Sequence, residues 1–423
     1  DNTGAPEPAI AQQTLDEIKR PNPNARVTQR RMSDFYDLVM KENGEIPVIR
    51  KDMPDTWIHG YMSMPEEIKI SRAIKKEIFI LDMLNAEMNL WKSEKSDLSP
   101  MIKKAVENTL LFDEHTFGLA MSHGHSGIWC YGDLFKTLKT ENVFDPIEFS
   151  WKEKSLRVID AERVIWPELN DKIRELANSV DIQSAHVTVY NPLPWKRDGV
   201  VTLQIFSGNL KNATSLKDMA TGDIIDLTNK GNVIRFIAKD VPAMGYKSYV
   251  PLERKITDQG LQLKRDQDVI ENAYLKITID RARGGIGSVI DKKSGSEMVK
   301  SGSEYVFGGY VYERFSRENT ESYAKDYIKG GWEWAPAELG RPNLSDEKYR
   351  QVHPVPYAVE YEIDNVKVSA ILQFRRDENN PHDYTMIYSL YKNLPFVEVQ
   401  WGITGKSPEP WPEAGWISFP FNV

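Results

Sequence analysis

Residues 110–118 read LLFDEHTFG, setting Asp113, Glu114 and His115 side by side after an apolar run and just before a glycine. An imidazole next to carboxylates can hold a metal ion through one ring nitrogen while an acid fixes the other. Acids beside aromatic rings also suit a sugar, whose hydroxyls bond to carboxylates while its C–H faces stack on rings. The same residues would equally serve as the polar end of a helix, with the histidine bonded to a backbone carbonyl. A second pair, His123 and His125 in SHGHSG, has the period-two spacing that aims two rings to one side of a strand. Its glycines and serines read instead as a loop. His186 at a strand start and His353 before a proline read as structural. GGIG at 284–287 reads as a hairpin turn and not as a phosphate cradle, because a strand-like run follows it and no helix does. The single Cys130 excludes a disulfide framework and a cysteine zinc cluster.

Positioning such residues takes a framework, and 423 residues suggest two to four domains. A net charge of −8 argues against a face that neutralises nucleic-acid phosphates. No apolar run reaches the roughly 18–20 residues of a membrane span, so no membrane partner is expected. With 11 Trp and 18 Tyr in an acidic chain, the aromatics suit a carbohydrate surface or an ordinary core and its interfaces.

Three kinds of pattern follow one another. Residues 8–44 alternate helix, strand and helix, with PAIAQQTLDEIKR helical, ARVTQR strand-like, and SDFYDLVMKENG helical from Ser33 as N-cap. EIPVIRKD then returns to a strand, an α/β alternation too short to close a sheet alone. From Ser63, read as a cap, a long helix carries Ile70, Ile74, Ile78, Leu81, Leu84, Met88 and Trp91 at three- and four-residue spacing. Further helices are expected over 100–112 and 150–179, the last kinked at Pro167, and the set packs as a bundle. After His186 the period drops to two: Val201, Leu203 and Ile205 share one face, as do Leu275, Ile277 and Ile279. Antiparallel sheet is therefore expected over 185–423. The chain opens on DNTGAPEPAIAQQ and stops within WISFPFNV, which reads as an internal piece of a longer protein.

Three phrases occur in order: HVTVYNPLPWKRDGVV, then DVPAMGYKSYVP, then ENAYLKITIDRARGGIGSVIDKKSG. Together they resemble the central and C-terminal region of glycoside hydrolase family 38 α-mannosidases, where an N-P-L-x-W turn, an (I/V)-P-x-x-G-Y strand and a G-x-I-x-S-(L/I)-x-D hairpin follow one another. Upstream, ARVTQRRMSDFYDLV and PDTWIHGYMSMP resemble the family's segments leading into its helical domain, and FDEHTFG falls where the family has H-H-D-A-(I/V)-(S/T)-G-T.

The resemblance implies a mixed α and β multidomain chain. Residues 1–56 would end an α/β catalytic barrel, and 57–182 would form a three-helix bundle. A small β domain would cover 183–258, and 265–423 would be a large galactose mutarotase-like β-sandwich cut short at its C-terminus. The implied chemistry is retaining hydrolysis of α-mannosides by two carboxylates around a zinc ion. His115 would be the late zinc ligand, Trp57 an aromatic of the sugar pocket, and Asp1 the acid/base in the family's G-D-D/G-D-G loop. Glu114 stands where the family has a histidine and Thr116 where it has an aspartate, positions that contact substrate there, so the sugar preference is open. The nucleophile and the first zinc ligands would lie in polypeptide preceding Asp1, the expected partner besides an oligosaccharide or glycoside. Assembly with a second copy is left open. So are a non-catalytic carbohydrate-binding or scaffold role and a related hydrolase of another specificity. Glycan breakdown points to an exported or periplasmic setting, though cytosolic α-mannosidases are also known.

Overall fold

The computed structural model describes residues 7–28, 30–42, 48, 50, 64–93, 95–115, 117–119, 130–205, 209–254, 263–327, 344, 348–377, 380, 382–406 and 411–422. The chain divides into two compact units, Asp1–Thr56 and Trp57–Val423. It is a mixed α and β chain: seven α-helices among the described residues, and antiparallel sheets throughout its second half.

The first unit holds α1 (Ile10–Lys19) and α2 (Met32–Glu42), neither of which buries a residue. ARVTQR, expected as a strand, is irregular over 25–28, where no partner strand pairs with it. EIPVIRKD lies almost wholly outside the described residues. Ser33 is not the cap of α2 but sits in its first turn. Asp34 reaches back instead, its Oδ2 accepting the Arg31 N–H at 3.4 Å while its Oδ1 meets the Arg31 guanidinium at 3.2 Å. A carboxylate three residues on satisfies the N–H of the residue that precedes the helix, the reach-back half of a capping box.

In the second unit α3 (Pro65–Trp91), α4 (Ser99–Phe112) and α6 (Asp145–Ser179) pack together as a three-helix bundle. Ile74, Ile78, Leu81, Ala105, Ala161, Ile165 and Leu169 form its centre, so the three- and four-residue spacing does place one apolar stripe inward. Trp91, at the end of that stripe, is exposed and meets Tyr246 edge-on. The expected cap Ser63 lies outside the described residues. α3 starts from Met64 with Pro65 in its first turn and no side-chain cap. Pro167 lies inside α6 without ending it. Its missing N–H leaves a carbonyl on the exposed side of the helix, at Arg163, where water can bond to it. A short helix, α5 (Gly132–Thr140), was not expected. It covers a satellite core of Cys130, Phe144 and Ile147, with Phe135 stacked on Phe144.

The β half begins with six strands: β1 (Val187–Asn191), β2 (Arg197–Gln204), β3 (Ser215–Asp218), β4 (Ile224–Lys230), β5 (Val233–Val241) and β6 (Gly245–Leu252), in the order β1-β6-β3-β4-β5-β2. β4 pairs with β3 over its first residues and with β5 over its last, which folds the sheet around Leu216, Leu227, Ile234, Phe236 and Tyr249. Asn191, in NPLPW, staples this layer. Its buried amide donates to the carbonyls of Trp195 and Pro242 at 2.8 and 2.9 Å, and its Oδ1 accepts from Leu193.

Eleven further strands follow: β7 (Lys264–Asp266), β8 (Val269–Glu271), β9 (Leu275–Asp280), β10 (Gly285–Asp291), β11 (Tyr310–Arg314), β12 (Arg350–Val352), β13 (Ala358–Ile363), β14 (Lys367–Phe374), β15 (Tyr384–Tyr391), β16 (Val397–Ile403) and β17 (Glu413–Ile417), with α7 (Arg317–Tyr327) between β11 and β12. They form three antiparallel sheets, β10-β9-β8-β7, β12-β11-β17 and β13-β14-β15-β16, which share one core. Leu275, Ile277 and Ile279 point into it from β9, as the alternation requires. GGIG is the expected hairpin connection: Gly284 closes the β9–β10 turn at φ +71°, and an added Cβ there would lie 2.7 Å from the Pro354 carbonyl.

One buried acid joins bundle and sheet. Glu87 on α3 is 6% exposed, and its Oε2 accepts the Tyr190 hydroxyl of β1 at 3.0 Å. Its Oε1 is buried without a hydrogen-bond partner. Burial raises the Glu87 carboxyl above its ordinary 4.5, against the smaller opposing effect of the tyrosine hydroxyl. A raised carboxyl contributes stability that is fully present below the unfolded value and is lost as pH rises through the folded one. Glu87→Gln keeps an acceptor for Tyr190 and removes the charge. It should raise the Tm by roughly 1–3 °C at about pH 8, with the gain closing at about pH 4. Thermal melts at the two pH values check this; an equal shift at both would contradict it.

Candidate functional site

The DEH loop begins where α4 stops, with Asp113 as C-cap and its N–H bonded to the Thr109 carbonyl. The adjacent acids then part company. Asp113 turns to α3, where it accepts the Ser71 hydroxyl at 3.3 Å and pairs with Lys75. Glu114 turns to α6, where its Oε2 lies 3.0 Å from the Lys154 ammonium. The Oε1 of Glu114 meets the Nδ1 of His115 at 2.9 Å. A carboxylate on Nδ1 sets the orientation of an imidazole, and makes Nε2 the nitrogen through which it would hold a metal. The His115 side chain is 33% exposed, so this edge of the bundle is neither core nor open surface.

Beyond His115 the chain is fastened down. Phe117 adopts φ 51° and buries its ring edge-on against Phe112, in a core shared with Met64, Ile68 and Val158. Lys154 sits 4.7 Å from the centre of that ring and donates to the Glu114 carbonyl at 2.5 Å. Gly118 follows at φ +90°, and the Leu119 N–H donates to Ser150 Oγ at 2.9 Å while Trp151 Nε1 donates to the Leu119 carbonyl at 3.1 Å. Two adjacent turns of α6 therefore grip the loop through Ser150, Trp151 and Lys154. Sequence reading passed over these residues. Their one signal is that WKEKSLR mixes an aromatic and a cation into a helix face facing a polar loop.

Of the residues the sequence proposed, Glu114 and His115 are brought together here. Asp1, Trp57 and Thr116, together with His123 and His125, lie outside the described residues. Among the described residues no cluster of three or more His, Cys, Asp or Glu could enclose a metal ion. The pair at 114–115 can supply one oriented imidazole and no complete donor set. His186 is structural, with its two ring nitrogens 3.0 Å from the carbonyls of Ser184 and Ala177. His353 likewise bonds to Gln351 at 3.1 Å. No described helix is long and apolar enough to cross a membrane. Comparison with protein-family models and with curated proteins finds no match to this chain.

The grip depends on a residue without a side chain at position 118. A Cβ there would lie 2.7 Å from Trp151 Cδ1 and 2.9 Å from Ser150 Oγ, on a backbone that L-residues rarely adopt. Gly118→Ala should therefore release the loop at a cost of about 1–3 kcal/mol. Hydrogen exchange of the Leu119 amide should become about tenfold faster, while the amides of β14 and β15 stay protected. Unchanged exchange at Leu119 would show that the loop is held by something else.

Proposed function

We propose that this chain is part of a zinc-dependent retaining glycoside hydrolase acting on α-mannosides or related glycans, with His115 as a metal ligand. The observation that carries the reading is the 2.9 Å contact between Glu114 Oε1 and His115 Nδ1, the kind of carboxylate–imidazole contact that metal-binding histidines characteristically make through the nitrogen not on the metal. It falls in the one segment where the sequence resembles the late zinc histidine of the family 38 α-mannosidases. Zinc, when bound, would supply open positions for adjacent sugar hydroxyls. On this reading Glu114 holds the imidazole rather than the substrate, because its two oxygens face His115 and Lys154. Asp1 takes the proton-donor role and Trp57 the sugar-stacking role through the resemblance. The assignments of 1–56 to a catalytic barrel and 265–423 to a galactose mutarotase-like sandwich rest on the same resemblance. The nucleophile and remaining ligands would come from polypeptide preceding Asp1.

The test uses the full-length polypeptide. Wild type should carry about one zinc per chain and hydrolyse an aryl α-mannoside, and His115→Ala should lower the zinc content and cost orders of magnitude in turnover. Glu114→Gln should weaken zinc binding by about 10–100-fold, as loss of an orienting carboxylate does. Equal zinc content in wild type and His115→Ala, by elemental analysis, would overturn the assignment. Zinc binding and glycan binding without hydrolysis would favour the non-catalytic reading.

A further inference from the structure

A groove of about 480 Å³ lies at one end of the β13-β14-β15-β16 sheet, well apart in sequence from the DEH loop. Arg375 and Arg376, just past the end of β14, line it. Among the described residues neither guanidinium meets a carboxylate within ion-pair distance, in a chain whose acids outnumber its Lys and Arg by 62 to 54. Arg375 is nonetheless held in place. Its guanidinium lies 4.1 Å from the centre of the Tyr357 ring, and Tyr357 is fixed in turn by donating to Gln373 Oε1 at 2.6 Å. A guanidinium held over a ring by its carbon still has N–H groups to offer a planar or tetrahedral oxyanion.

Asp383 also lines the groove, but its Oδ1 accepts the Arg376 backbone N–H at 2.7 Å and is tied to the wall. Thr385 and Thr404 bring hydroxyls to the same wall. Between them the floor is Gly402, which pairs with Thr385, and a Cβ added there would meet nothing within 4 Å. The cleft is thus open where the strand lacks a side chain. Two unpaired guanidinium groups, hydroxyl donors and open space above a glycine form an anion-binding arrangement.

We propose that this groove binds a small ligand through an oxyanion, either a carboxylate or a phosphate, with Arg375 and Arg376 as its counter-charges. The proposal is independent of the glycosidase reading, since it uses no residue of the DEH loop.

Titration calorimetry on the 423-residue chain tests it, with inorganic phosphate, glucuronate and uncharged glucose as probes. At least one anion should bind and glucose should not. Preference for glucuronate identifies an acidic sugar as the source of the charge, and preference for phosphate a phosphorylated ligand. Arg375→Met/Arg376→Met should weaken binding at least about tenfold. Gly402→Phe, which places a ring in the groove from a strand that carries neither arginine, should abolish binding while the circular dichroism spectrum stays as in wild type. The proposal is overturned if neither anion binds, if glucose binds as well as the anions, or if both variants bind like wild type.

Discussion

Lys154 keeps only 9% of its side chain exposed, and a cation so withdrawn from water requires partners that replace its hydration. It finds them all in one short stretch: the Glu114 carboxylate, the Glu114 carbonyl and the face of Phe117. That single requirement fixes the loop after α4. Glu114 turns toward α6 to meet the ammonium, and in doing so it presents its other oxygen to His115. The backbone then has to reverse, through left-handed residues at 117 and 118, to seat Phe117 on the bundle core. The imidazole orientation that the proposed metal chemistry needs is thus a consequence of how one buried charge on a neighbouring helix is satisfied.

The β half is organised by a neutral version of the same constraint. Asn191 and Asn272, 3% and 0% exposed, each spend their whole amide on backbone groups. Asn191 ties the NPLPW turn to the β5–β6 connection. Asn272 donates to the Tyr391 and Leu394 carbonyls at 2.8 and 2.9 Å while accepting from Tyr274 and Leu275. Buried backbone groups must be paired, and an asparagine can serve a turn and a neighbouring chain segment at once. Asp291 works similarly, accepting the N–H groups of Lys293 and Ser294 in the turn after β10. These residues belong to the very phrases that carry the family resemblance. In this structure they hold turns, which is why the resemblance bears more directly on framework than on chemistry.

The elements easiest to read were those whose pattern is dictated by a buried face. Ile74, Ile78, Leu81, Leu84 and Met88 on α3, and Leu275, Ile277 and Ile279 on β9, have no other periodicity available. What was not legible depended on partners far away in sequence. ARVTQR has strand-like residues, but pairing decides a strand and none is present over 25–28. α5 is short, and its reason to fold is Phe144, which lies beyond its own end. At the site, Asp113, Glu114 and His115 looked like one cluster because they adjoin in sequence. The structure separates Asp113 toward α3 from Glu114 toward α6, a division set by Lys75 and Lys154, some 40 residues away on either side.

If the charge of Lys154 holds the loop and orients Glu114, the two side chains must be energetically coupled. A double-mutant cycle of Lys154→Met and Glu114→Gln measures this, with the opening free energy of the Leu119 amide from hydrogen exchange as the readout. The account predicts a coupling of about 1–2 kcal/mol, the double variant costing less than the two single changes summed. Additive effects, with coupling within about 0.3 kcal/mol of zero, would mean that the loop is placed without this interaction and would contradict the account.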